Sequence, residues 1–468
     1  MIVLGIILLV LYCFFTLTVL IKVYSGKPLY LLFYITLFLP VYSVFQLILY
    51  DAFQNSIIIN FLKYSKDFVL VSSFLLYLTG TRQSFFNRKF KFSSLDMLML
   101  GFLSLVTLYL FIPLGEATFL SKAIYAKNIC LIVIVYFFGR NTDLSFENWN
   151  KILKILIGLI LFSFTIALSE SIVETHLHSF LNYSRYNLEI NDIDPQGNYG
   201  LNWSFESQGA KPRYASLFAD PLEFSASLIL FFVISLWYFI HSKFIKNKFF
   251  FLILISIVVF SFFLALSRAS MFSAILVLIL ALYISKNYKA LLIWGSFIFI
   301  LFFYLYFFSE KETRYLIQDT LSFQNTSSLG HLVEWIEGVL SIYENPFGVG
   351  LSMSGNASGV DQSIKIGGEN QFLIYGVQMG FISIILYMLI LIKSIWNSLR
   401  LYIKSSNLNI KSIGFITGLT KFGLLIPLLT ANAELYLFVA LFSWYLVGQV
   451  EKWNNLHDIN YNIKIEKD

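Results

Sequence analysis

Charge is what this 468-residue chain has least of. Lys+Arg number 33 and Asp+Glu 27, so charged residues make up only 13% of the sequence. Hydrophobic residues reach 58% and aromatics 18%, with a mean hydropathy of +0.74. Ordinary globular chains are roughly 45–50% apolar and about 25% charged, so this chain has too few polar groups to cover a water-soluble fold. A soluble enzyme and a disordered chain are both excluded. Cysteine is nearly absent. Cys13 and Cys130 both sit inside apolar runs, which argues against a disulfide framework or a cysteine-based metal site. Walker A, dinucleotide-fingerprint and H-E-x-x-H motifs are missing, as are internal repeats and low-complexity tracts.

What is present is a succession of apolar runs. A bilayer core takes about 20 apolar residues per helix. That length places spans near 1–21, 29–50, 57–80, 95–115, 122–139, 152–170, 214–240, 249–266, 270–285, 290–308, 371–392, 412–430 and 435–450. The expectation is an all-α polytopic membrane protein with about 13 transmembrane helices (12–14), forming a single membrane domain over 1–468. The third span, which carries Lys63, Lys66 and Asp67, and the short ninth are the weakest. The first lacks the basic n-region and small-residue cleavage site of a signal peptide, so it is expected to stay.

Basic residues sort by side. One alternating set of loops holds Lys22, Lys27, Arg82, Arg88, Lys89, Lys91, Arg140, Lys151, Lys243, Lys246, Lys248, Lys286, Lys289, Lys393, Arg400, Lys404, Lys411, Lys452, Lys464 and Lys467, twenty in all. The other holds eight: Lys122, Arg185, Lys211, Arg213, Arg268, Lys311, Arg314 and Lys365. This predicts the N-terminus outside and the C-terminus in the cytoplasm. The net charge of +6 then needs no nucleic-acid partner.

Two connections are long, 171–213 and 309–370, and both are expected outside. In the second, Leu332, Val333, Ile336, Val339, Leu340 and Tyr343 recur at near-helical spacing. They predict a helix from Gly330 to Asn345, capped by Ser327 or Ser328 and ended before Pro346, on the membrane surface or against the bundle.

Charges at the outer rim are the informative ones, because unpaired burial is expensive. Arg268 lies in the Ser267-Arg268 turn between two spans, and Arg213 leads from the first long loop into Asp220-Pro221-Leu222-Glu223. Each arginine can present a fork of donors to phosphate oxygens, or anchor a helix end in headgroups. Glu369 is a candidate general base or a carboxylate complementing a helix N-terminus. His331 can hold phosphate, relay a proton, or make a structural hydrogen bond. Lys421, mid-span, is expected to pair with a carboxylate from another helix, Asp220 or Glu223, or else to line a wet cavity. Asp192-Ile193-Asp194 has the D-x-D form of a cation site, but two acids in a polar loop arise easily by chance. His176 and His178 are expected to face water. Tyr183, Tyr186, Tyr199, Trp203 and Phe205 can stack on sugars or anchor at the interface.

Four elements in order carry a family resemblance. They are Arg213 with Phe218 and Pro221; Ser267-Arg268; His331 and Trp335 with the Pro346-x-Gly348-x-Gly350 exit; and Asn370 with Phe372, Leu373 and Gly380. Over roughly 205–395 the chain resembles the bacterial O-antigen polymerase and O-antigen ligase superfamily (the Wzy and WaaL type). The resemblance implies a GT-C-like membrane glycosyltransferase that uses no metal or other cofactor. It would act at the periplasmic face of the inner membrane on undecaprenyl-pyrophosphate-linked glycans, with the bilayer and a chain-length regulator as further partners. On this view Arg213 and Arg268 bind pyrophosphate, Glu369 or His331 is the base, and Trp335, Asn370, Asp220, Glu223 and Lys421 bind glycan or support the site. Ligases of the family carry a His before the Asn, where this chain has Glu369, which favours a polymerase. A ligase, or a transporter of the same lipids, is the alternative. A transporter is expected to place its polar groups at the bilayer midplane in repeated halves, where this chain has only Lys421 and no repeat.

Overall fold

The structure is a computed structural model that describes residues 2–80, 92–207, 211–242, 245–308, 326–355 and 365–465, with 314, 318 and 322 as single positions. Arg82, Arg88, Lys89, Lys91, Lys243, Lys311 and Lys467 lie outside the described residues, as does much of the second long loop.

Apolar sequence becomes helix almost throughout, because a bilayer offers no partner for an open backbone polar group. Nine helices among the described residues are long and apolar enough to cross a membrane: Ile2–Tyr24, Leu29–Phe53, Ser94–Phe111, Phe119–Asn141, Phe146–Val173, Pro221–His241, Asn247–Ala265, Phe381–Lys404 and Leu408–Thr430. The chain is an all-α, multi-pass membrane protein. Further helices Ser56–Gly80, Arg268–Ile284, Tyr288–Phe307 and Leu437–Ile465 occupy the other sequence-expected segments.

Several boundaries differ from the sequence expectation, each for a local reason. The second segment is interrupted at Leu39–Val41, where Pro40 lacks the amide needed to continue the helical ladder. The seventh starts at Pro221 rather than 214. Asp220 caps it, accepting from the Leu222 and Glu223 amides at 2.7 and 2.8 Å, and proline suits the first helical position. The eleventh is cut in two. Gln371–Met379 ends at Gly380, whose φ of 78° only glycine adopts without strain, and Phe381–Lys404 starts afresh. The Pro346–Gly350 strip docks on this break: Phe381 N–H donates to the Pro346 carbonyl at 3.1 Å, and Val349 N–H to Val377 O at 2.8 Å.

The helix in the second long loop runs Thr326–Glu344, so Ser327 and Ser328 lie inside it rather than capping it. Its Val333, Ile336, Val339, Leu340 and Tyr343 are exposed, the arrangement of a helix lying at an interface. The first long loop folds into the short helices Leu177–Phe180 and Tyr183–Tyr186, a π-turn at Asn187–Asn191, and a two-residue β-ladder pairing Glu206–Ser207 with Lys211–Pro212.

Packing fixes two ends. Phe119–Asn141 and Leu437–Ile465 approach so closely that a Cβ on Gly139 would strike the Tyr445 carbonyl, and one on Gly448 the Tyr136 carbonyl; small residues permit such crossings where lipid gives no hydrophobic drive. At one end Tyr402 OH lies 3.3 Å from His241 Nε2 and 3.2 Å from Ser285 Oγ, Trp149 Nε1 donates to Ser412 at 2.7 Å, and Lys452 reaches the Thr142 carbonyl at 2.7 Å. A cavity of about 440 Å³ there joins Lys27 and Tyr30 to Asn141 and Asp143. That is the end of the basic loops. The two long connections lead to the other.

Candidate functional site

At this second end, segments distant in sequence bring their polar residues together. Arg213 stands at the end of the β-ladder, its amide donating to Phe205 O at 2.8 Å, and Tyr214 N–H donates to Leu264 O at 3.1 Å. The second bond ties the segment to the helix preceding the Ser267-Arg268 turn, where Arg268 begins the next helix and is exposed. Arg213 is partly buried, and its Nε has no hydrogen-bond partner among the described residues. The charges of Arg268, Asp220 and Glu369 all act on it. Burial, then Arg268, push its pKa down, while the carboxylates push it back. Two guanidiniums repelling one another beside an unpaired Nε make a place for an anion.

Opposite them lies an imidazole between carboxylates. His331 Nδ1 is 3.2 Å from Glu369 Oε2. One helical turn on from His331, on the same face, Glu334 brings a second carboxylate close to Glu369. Burial pushes the Glu369 carboxyl above the usual carboxylate range. Arg213 opposes that shift and Asp220 adds to it. Glu334 is also raised, by burial first and then by the Glu369 charge. Burial lowers His331, with Glu334 opposing and Arg268 assisting. Tyr436, in the turn before the last helix, completes the group; burial and then Asp220, Glu369 and Glu223 hold its hydroxyl protonated.

Arg213, Arg268, His331 and Glu369, singled out in the sequence, are therefore neighbours. Glu334 and Tyr436 were not singled out. Glu334 was legible as the i+3 partner of His331, whereas nothing local marks Tyr436. The ligand atoms of His331, Glu334 and Glu369 lie within 4.8 Å of one another, the one group among the described residues able to hold a metal ion. One imidazole nitrogen and two carboxylates would suit zinc or manganese. His331 thus has two carboxylates beside it, one from its own helix and one from a distant segment.

Other expected site residues have structural roles. Asn370 caps Gln371–Met379 through the Phe372 and Leu373 amides at 3.0 and 3.3 Å. Asp220 is a cap, as above. Glu223 accepts from the amides of Ala219 at 3.3 Å and Phe438 at 3.4 Å, pinning the last helix beside the site. Trp335 is partly buried with its Nε1 enclosed, which suits support better than contact with a glycan.

The expected partners of Lys421 are corrected. Its ammonium sits 3.5 Å from the centre of the Trp444 ring and pairs electrostatically with Glu434, not Asp220 or Glu223. Glu434 lies in the turn linking the two helices that carry Lys421 and Trp444. His176 and His178 do not face water; both are buried, packed edge-on against Tyr199 and Phe205 and against Tyr183. Burial pushes them down to about 4 and about 3, so they are neutral. Tyr183, Tyr186 and Phe205 are core, leaving Tyr199 and Trp203 exposed for stacking. Asp192 and Asp194 are exposed and belong to no ligand group among the described residues. No family model and no curated protein matches the chain.

Proposed function

We propose that this protein polymerises undecaprenyl-pyrophosphate-linked oligosaccharide repeat units into a surface polysaccharide, by metal-independent glycosyl transfer at the outer face of a bacterial inner membrane. The observation that carries this reading is the meeting of two arginines with a His331–Glu369 pair at the end of the bundle away from the basic loops. The bundle would hold about 13 spanning helices in a GT-C-like arrangement, N-terminus outside, C-terminus cytoplasmic and site facing the periplasm.

The donor is a glycan joined through its anomeric carbon to lipid pyrophosphate. A hydroxyl oxygen of the acceptor sugar attacks that carbon, and the bond to the pyrophosphate oxygen breaks with its electron pair. Arg213 and Arg268 hold the departing charge by preorganised charge-assisted hydrogen bonds, the role a cation plays elsewhere. The hydroxyl proton passes to Glu369, with His331 orienting that carboxylate or sharing the proton. The exposed Tyr199 and Trp203 rings stack on sugars.

A second reading, transfer to lipid A core by a ligase, is favoured by one observation. An imidazole stands 3.2 Å from the carboxylate at the position where ligases of the resembled family have histidine. Purified protein given already-flipped lipid-linked repeats, with lipid A core as competitor, separates the possibilities. A ladder of extended chains supports the polymerase. Transfer to core identifies a ligase, and unextended chains leave a transporter.

A further inference from the structure

A second cationic group lies in the bundle and shares no residue with the site above. Ser56–Gly80 starts at the same end as the site: Tyr50 OH donates to Glu189 at 2.5 Å, and Asn182 to Asp51 at 2.6 Å, fastening the first long loop over this helix start. About two turns in, Lys63 Nζ donates to Asn191 Oδ1 of that loop at 2.7 Å. Lys66 Nζ lies 3.8 Å from Asp67 and 4.7 Å from the centre of the Tyr42 ring. Lys127, from Phe119–Asn141, pairs with the other Asp67 oxygen. The three ammoniums act on one another, with Asp67 the one carboxylate in contact among the described residues. Glu223 acts on Lys66 from further away while accepting backbone amides.

Lys66 also donates to the Lys63 carbonyl at 3.1 Å and the Tyr42 hydroxyl at 3.4 Å, but neutral acceptors do not balance charge. Three cations against one contacting anion inside a helical bundle is an expensive arrangement unless another anion joins them. The niche is reachable, since the Lys127 side chain is 30% exposed and that of Lys66 14%. It is bordered by the exposed Ile57, Phe61 and Phe68 on the outward face of the same helix. An anion arriving there comes along a lipid-facing surface, so its carrier is a lipid.

We infer that Lys63, Lys66 and Lys127 form a second binding site for a lipid-borne pyrophosphate, that of the acceptor. This rests on the proposed polymerase reading, in which both substrates are lipid-linked. A ligase has one such substrate and needs one such site. Lys63 gives the accessible handle, because its removal leaves the Lys127–Asp67 pair intact.

The test counts bound lipid without turnover. Wild-type protein in phosphatidylcholine nanodiscs is titrated with undecaprenyl pyrophosphate and counted by native mass spectrometry, with phosphatidylglycerol and inorganic pyrophosphate as competitors. Two lipids per chain are expected. Lys63→Gln should weaken one of them about tenfold, while Lys63→Arg retains it. Arg268→Ala should weaken the other. All three variants must melt as wild type. If Lys63→Gln keeps both lipids at full affinity, or if equimolar phosphatidylglycerol or inorganic pyrophosphate displaces the Lys63-dependent one, the assignment is wrong. If two lipids bind to a protein that never extends a chain, the polymerase reading and the acceptor assignment fall together, and the lipid-pyrophosphate site stands.

Discussion

His331 Nδ1 and Glu369 Oε2 stand 3.2 Å apart, although they come from a surface helix and from the mouth of another helix. In the proposed reaction the pair favours Glu369 as the base: it is partly buried, held by an imidazole, and raised above the ordinary carboxylate range by burial against the pull of Arg213. A base must be deprotonated to act, so the rate should fall as pH drops through that raised pKa. Glu369→Gln should abolish this acid limb and lower kcat by roughly 10²–10⁴. Arg213→Gln removes the opposing cation and should move the limb to higher pH. A pH–rate profile of each variant checks this; an acid limb that survives in Glu369→Gln sinks the assignment.

Arg213 and Arg268 repel each other, and both are proposed to hold the leaving pyrophosphate. Arg268→Ala should cost roughly 10²–10³ in kcat, the usual effect of losing one donor to a developing anion. Arg213→Lys should recover little, because a single ammonium cannot replace a planar fork. Single-turnover extension of lipid-linked repeats measures both. An Arg268→Ala protein as fast as wild type would remove the arginines from the chemistry.

The His331, Glu334 and Glu369 atoms lie close enough to ligate a metal, which sets a direct test of metal independence. Dialysis against EDTA should leave extension unchanged, and added zinc should inhibit by occupying the base. Metal content by plasma mass spectrometry, read beside the activity, decides. Activity lost to EDTA and restored by zinc or manganese would make Glu369 a ligand rather than a base.

Local sequence showed much of this and missed the rest for physical reasons. Apolar run length locates helices because each satisfies its own backbone, so all thirteen expected segments contain one. Breaks were harder. Gly380 ends a helix because the Pro346–Gly350 strip docks there, a long-range event with no local mark beyond the glycine itself. Arg213 and Arg268 were legible because charge is rare in an apolar chain. Polar loop residues carry no such contrast, and His176 and His178 looked solvent-facing until the loop was seen to fold over them. Lys421 plainly needed a carboxylate, but which one depended on how the helices pack.

That carboxylate gives a stability prediction. Glu434 accepts from Trp444 Nε1 at 2.9 Å and Tyr387 OH at 2.5 Å while facing Lys421. Removing one partner of a buried pair leaves the other uncompensated, typically at about 3–5 kcal/mol. Lys421→Met and Glu434→Gln should each lower the melting temperature in detergent. The double variant should lose less than the sum of the two. Additive losses would mean that the two groups do not interact.

The buried histidines predict how the fold responds to acid. His176 and His178 are held neutral, at about 4 and about 3, against 6.5 for a free imidazole. A depressed folded-state pKa means the unfolded chain takes up protons first as pH falls. The stability these residues contribute is therefore complete above about pH 6.5 and lost progressively towards pH 4. For His176 the loss approaches about 3 kcal/mol at the acid limit. Melting temperature should fall between pH 7 and 4.5 in wild type, and fall less in His176→Phe, whose ring fills similar space among Tyr199, Phe205 and Tyr214 without a titrating nitrogen. Parallel melting curves for the two proteins across that range would show that the imidazole is not what acid attacks.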